Sequence, residues 1–139
     1  MIKRGLLIVG LLTLIGCAGD RPTTLGVQNN QLANCPDSPN CVCSFENRDS
    51  HRIAPLTASL DQVKAALAQM PRVHIAQQDG NYLYAEFTSR LMGYVDDVEF
   101  LADPAQGIVH VRSASRLGYN DMGVNRERIE HIRALIAAP

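Results

Sequence analysis

From residue 59 onward the apolar positions change period twice, and each change marks a new element. Leu60, Val63, Leu67 and Met70 recur at spacings of three and four, the stripe of one helical face. Ser59 stands just before the stripe and Gln62 three residues later, the pairing of a capping box. Pro71 stops the helix, because the residue before a proline is pushed out of the helical region. The spacing therefore predicts a helix over 59–70. The period then shortens to two. Strands are predicted over 72–78, 81–89, 94–101 and 107–115, with Asp79-Gly80 as a hairpin turn and Asp103-Pro104 as a break. Three successive short connections predict an antiparallel meander. A last helix is predicted over 126–137, capped by Asn125, with Val124 stapled on Ile129 and an apolar stripe through Ile129, Ile132 and Leu135 or Ile136.

The fold expected from this order is α+β: a two-layer sandwich, α-β-β-β-β-α, with a four-stranded antiparallel meander and two helices packed on one face. Alternation puts Val73, Ile75, Leu83, Ala85, Phe87, Val98, Phe100, Val109 and Val111 under the helices. The opposite face carries Tyr82, Tyr84, Glu86, Asp97, Glu99, His110 and Arg112. That face is expected to be open, or covered by the cysteine segment and the 116–124 loop.

The front of the chain follows neither period. Lys3 and Arg4 precede an apolar run from Gly5 to Gly16 in which Thr13 is the one polar side chain. As a helix the run reaches about 18 Å, short of the roughly 30 Å of bilayer hydrocarbon, so it reads as a signal-peptide core. Leu14-Ile15-Gly16-Cys17 resembles the bacterial lipobox. That resemblance implies acylation of Cys17, cleavage after Gly16 and anchoring by two or three acyl chains, which hold a protein firmly where one does not. Ala18 rather than Asp follows the cysteine, which by the same resemblance implies an outer membrane, with the domain facing the periplasm. The chain is thus divided into a signal peptide (1–16), a lipid anchor and tether (17–34) and a single domain (35–139).

The 139 residues are 46% hydrophobic but only 5% aromatic, so core volume must come from Leu, Ile, Val and Ala. A formal net charge of −1 gives no electrostatic drive toward nucleic acid. Export permits a disulfide among Cys35, Cys41 and Cys43. Cys35 and Cys41 are the favoured pair, closing a loop of turn residues, whereas Cys41 and Cys43 diverge in an extended segment. The rival readings are three thiolates holding zinc with His51, or a reactive thiol.

Candidate chemistry concentrates between Glu86 and Arg128. Glu99 and Arg112 are placed to pair across strands, and Glu86 with Glu99 supplies two carboxylates for acid–base work. Arg126 and Arg128 open the last helix, where cations are unfavourable and need carboxylates (Asp96, Asp97, Asp121) or a bound anion. Glu86, Asp96, Asp97, Glu99, His110, Arg112, Arg116, Asn125 and Arg126 are therefore the expected binding residues, forming one pocket for a small anionic or polyhydroxyl ligand. No glycine-rich nucleotide loop, G-x-S-x-G or H-E-x-x-H is present, and neither catalytic residue, cofactor nor metal is assigned.

The strings CPDSPNCVCS, YLYAEFTSRLMGYVDDVEF and VHVRSASRLGYNDMGVNRERIEHIR resemble a bacterial family of unknown function, DUF1499, over about residues 32–137. The resemblance covers Cys35, Pro36, Ser38, Pro39, Asn40 and Cys41, then Asp96, Asp97, Glu99, Arg112, Ser113, Ser115 and Arg116. It also covers Gly118, Asp121, Gly123, Asn125 and Arg126. In relatives the position of Cys43 is more often serine, which implies Cys35–Cys41 as the bridge and Cys43 as an extra thiol. The family implies export or lipid anchoring and no mechanism. Three functions remain in view. The leading one is a lipid-anchored envelope module binding a small ligand or an envelope partner. The others are a hydrolase using the acidic, His and Arg face, and a purely structural envelope protein.

Overall fold

The computed structural model describes residues 18–139; the expected signal peptide (1–16) and the expected acylation site, Cys17, lie outside the described residues. The elements are β1 (Cys41–Cys43), α1 (Leu60–Leu67), β2 (Val73–Asp79), β3 (Tyr82–Thr88), β4 (Val95–Asp103), β5 (Ile108–Ser115) and α2 (Val124–Ala137). The sheet has five strands, all antiparallel, in the order β1-β5-β4-β3-β2, which corrects the expected four-stranded meander. β1 supplies the difference by pairing Cys41 with Ala114, Val42 with Ser113 and Cys43 with Arg112. Three residues are too few to show a period, and prolines and asparagine nearby read as turns. β5 nonetheless presents a row of backbone donors and acceptors that needs a partner, and the C-V-C segment fills it.

Both helices pack on one face. Val63, Ala66 and Leu67 of α1 and Ile129 and Ile132 of α2 join Leu83, Ala85, Phe87, Val98, Phe100, Val109 and Val111 in one buried core. Ser59 and Gln62 form the capping box, and α1 ends at Leu67, earlier than expected, in tight turns donated by Gln69 and Met70. At the other helix the cap differs. Gly123, with φ 84°, holds the position assigned to Asn125, and Val124 lies inside the first turn and half exposed instead of stapled on Ile129. β2 is an edge strand with an irregularity between Ile75 and Gln77, which leaves Ile75 40% exposed and outside the core.

The opposite face is covered as well. The segment 18–34, read as a tether, lies on it: Leu32 is buried against Tyr82 and Tyr84, with Leu25, Phe45, Ala76 and Leu101 packed around them. Beside this cluster, Cys35 and Cys41 form a disulfide with Cα atoms 5.6 Å apart, and Cys43 is a buried thiol. Two of the three sulfurs considered for zinc are therefore joined to each other, and His51 Nδ1 hydrogen-bonds the Cys41 carbonyl at 2.9 Å. No helix among the described residues is long and apolar enough to cross a membrane.

The disulfide closes a short loop beside β1, so its entropic contribution is modest. The double variant Cys35→Ala, Cys41→Ala is expected to lose about 2 kcal/mol of stability, read as a lower urea midpoint with an unchanged slope.

Candidate functional site

Strand parity builds the charged face. On β3 and β4 the registered partners Glu86 and Asp97 are directly opposite, two like charges side by side. Arg116, just past β5, resolves the repulsion. Its Nη2 donates to Asp97 Oδ1 at 2.6 Å and to Glu86 Oε1 at 2.8 Å, while its Nε donates to Asp97 Oδ2 at 3.2 Å. The Tyr84 hydroxyl lies between the same carboxylates, 2.6 Å from Asp97 Oδ1 and 3.0 Å from Glu86 Oε1. Arg21 reaches Glu86 Oε1 at 2.7 Å from the covering segment, and Arg116 Nη1 also donates to the Gly19 carbonyl at 3.3 Å. Asp97 is 1% exposed, so such a charge is tolerable only because each oxygen is bonded. Hydrogen bonds from Arg21, Arg116 and Tyr84 hold the Glu86 carboxyl down at about 2. The Tyr84 phenol is pushed up by burial and by the two carboxylates.

One residue pair along the sheet, Glu99 stands opposite Arg112 as the pattern predicts. Glu99 Oε1 accepts from the Tyr82 hydroxyl and from the Gly26 backbone N–H, both at 2.8 Å. Gly26 has φ 103°, a backbone shape that side chains disfavour, and this turn brings the covering segment onto the carboxylate. The second half of the pair is looser. Glu99 Oε2 is 3.5 Å from Arg112 Nη1, and neither Glu99 Oε2 nor Arg112 Nε has a hydrogen-bond partner. Burial raises the Glu99 carboxyl, opposed by the Gly26 N–H and Tyr82. Burial also raises the Cys43 thiol opposite Arg112, which makes it a packed sulfur and not an activated nucleophile.

The sheet separates these residues from the rest of the expected pocket. Asp96 points to the helix face, where Arg128 bonds it while lying 4.8 Å over the Phe87 ring. Asn125 is fully buried there as a junction. Its Oδ1 accepts from Ser113 Oγ and Arg128 Nη1 at 2.7 Å each, and its amide donates to the Asn40 carbonyl, Ser115 Oγ and Asp121. Arg126 turns away to the carbonyls of Arg52 and Ser50. The arginines of the first α2 turn thus find acceptors within the protein. His110 is on the charged face but apart from the Glu86 group: it stacks on Phe45 at 4.1 Å, with Ser44 Oγ 3.1 Å from its Nδ1. Burial lowers its pKa.

Glu86, Asp97 and Arg116 therefore meet, Glu99 and Arg112 adjoin them, and Asp96, Asn125 and Arg126 belong elsewhere. Arg21 and Gly26 were not foreseen, because nothing periodic in 18–34 marks a segment that folds back. A second missed group sits at the cysteine loop, where Arg48 binds Glu46 and the Cys35 carbonyl and Glu46 accepts from the Cys35 N–H. Arg48 holds the Glu46 carboxyl at about 2. The E-N-R spacing was the available signal.

Removing Arg116 would leave two facing carboxylates, one of them fully buried. Arg116→Met is expected to cost about 3–5 kcal/mol, measured by chemical denaturation. The acid limb follows from Glu86. Its folded pKa, about 2, is depressed below the unfolded value near 4.3, so its stabilisation is complete above that value and lost as pH falls toward about 2. Glu86→Gln is expected to melt lower than the wild type at pH 7 and to show a flatter loss of melting temperature across that window.

No curated protein and no solved structure matches the chain. A family model described as a protein of unknown function does match, over residues 31–136, a span that holds β1 through nearly all of α2 together with Asp97, Glu99, Arg112 and Arg116. On that match the chain belongs to the DUF1499 family.

Proposed function

We propose that this protein is a lipid-anchored structural protein of the cell envelope, and that its charged face is an internal lock and not a ligand or catalytic site. The observation that carries the reading is the use of the charges. Both Asp97 oxygens, Glu86 Oε1 and Glu99 Oε1 are bonded by Arg116, Tyr84, Tyr82, Arg21 and Gly26, and the last two come from the covering segment. A general acid or base needs a proton-transfer position open to substrate. Asp97 and Glu99 are 1% and 0% exposed.

Anchoring is supported by Lys3-Arg4, the short apolar run and Leu14-Ile15-Gly16-Cys17. The Cys35–Cys41 disulfide suits an oxidising compartment such as the periplasm. Ala18 after the cysteine favours the outer membrane. The physical consequence is a stiff coupling. With 18–34 held on the sheet through bonds at Gly19, Arg21 and Gly26 and packing of Leu32, an anchor on Cys17 would precede the first docked residue by only two positions.

Intact-mass measurement of the membrane fraction is expected to show residues 1–16 removed and acyl mass on Cys17, with Cys17→Ser unacylated and released from the membrane. A cytosolic product retaining residues 1–16 contradicts the anchored reading. Hydrolysis of an envelope polymer by the wild-type protein, abolished in a folded Asp97→Asn variant, contradicts the structural one.

A further inference from the structure

One end of the domain is unlike the rest of its surface. The 89–94 connection between β3 and β4 and the 116–123 connection between β5 and α2 lie side by side, because Thr88 pairs with Val95 and Asp96 with Ser115 at that end of the sheet. Together they expose Leu91 (90%), Met122 (88%), Tyr119 (72%) and Met92 (62%), with Tyr94 and Leu117 about half exposed. Large side chains this bare, gathered on two adjacent loops, mark a contact surface and not scattered surface apolarity. The loops border a cavity of about 570 Å³. Arg90 stands exposed beside Leu91, whereas Arg116 and Asp121 are turned inward, to Asp97 and to Asn125. The outward character is apolar and tyrosine-bearing with one cation, a composition suited to a phospholipid interface.

The path of the chain identifies the occupant. The described structure starts at this end: Gly19 is packed so closely on Leu117 that a Cβ there would sit 3.0 Å from Leu117 Cδ2, and its carbonyl accepts from Arg116. Cys17 is two residues further, within about 7 Å along an extended chain. We propose that these loops are a membrane-seating surface, with Leu91, Met92, Tyr119 and Met122 entering the interface of the same phospholipid leaflet that holds the Cys17 acyl chains. The inference rests on the anchored reading above. It gives the docked 18–34 segment a purpose: the lock keeps the anchor beside the seating loops, so the domain stands in one orientation on the membrane and does not swing from a tether.

The protein has no tryptophan, so substituted tryptophans report alone. Full-length acylated Tyr119→Trp and Met122→Trp variants, reconstituted in phosphatidylethanolamine–phosphatidylglycerol vesicles, are compared with Ala105→Trp. Ala105 is exposed in the β4–β5 turn, at the far end of a nine-residue strand, a distance of about 30 Å. Lipids brominated near the top of the acyl chain are expected to quench the first two reporters about twofold and leave the third unchanged. Three results overturn the proposal. Equal, unquenched emission from all three variants, with acyl mass verified on the same samples, leaves the anchor intact and removes the seating surface. Absence of acyl mass removes both. Protection from acrylamide that grows with protein density, without quenching by bromolipid, assigns the loops to a second copy of the chain instead.

Discussion

The Arg116 guanidinium between Asp97 and Glu86 is the interaction on which the rest of the molecule depends. Antiparallel pairing of β3 with β4 forces the two carboxylates into opposite positions on one face. That arrangement is untenable under cover unless a cation bridges them. Arg116 bridges them with a fork on one carboxylate and a second contact on the other, and its remaining nitrogen holds the Gly19 carbonyl. The same side chain thereby neutralises the sheet and fastens the segment that covers it. Tyr84 adds a hydroxyl between the carboxylates, and Arg21 closes the group from above.

The sheet has two differently built faces. Under the helices the core is apolar, interrupted by a polar group around Asn125, whose amide is saturated by Ser113, Ser115, Asn40, Asp121 and Arg128. Saturation makes burial tolerable and ties the start of α2 to β5 and to the residue before β1. On the other face charge and tyrosine replace the apolar core, and the 18–34 segment replaces the helices. The looser Glu99–Arg112 pair sits beneath that cover with one oxygen and one nitrogen unbonded. Glu99 is held there by the Tyr82 hydroxyl and the Gly26 N–H more closely than by Arg112, 3.5 Å away.

Much of this was legible. Ser59 with Gln62 announced α1, and strict alternation over 82–87 and 95–101 assigned the faces of β3 and β4 correctly. Glu99 was placed opposite Arg112 by counting from the turn. What failed did so for physical reasons. β1 is too short to carry a period and exists because β5 needed a partner for its edge. The nine candidate binding residues were treated as one pocket because they are near in the chain. Asp96 and Asp97, adjacent in sequence, point to opposite sides of a strand, so Asp96 joins Asn125 in the helix layer while Asp97 stays on the charged face.

By itself, the sequence determined the things that period, turn chemistry and short-range sterics govern: where α1 starts, how β2 to β5 follow one another, which side chains share a face, and that Cys35 and Cys41 suit a bridge. These depend on neighbours a few residues apart. Only the tertiary structure decided that residues 18–34 fold back as a cover, that Arg21 and Gly26 complete carboxylate sites more than sixty residues away, and that two apolar loops meet beside Gly19. Such contacts arise when distant groups must find partners on leaving water, and the chain carries no local pattern for that requirement.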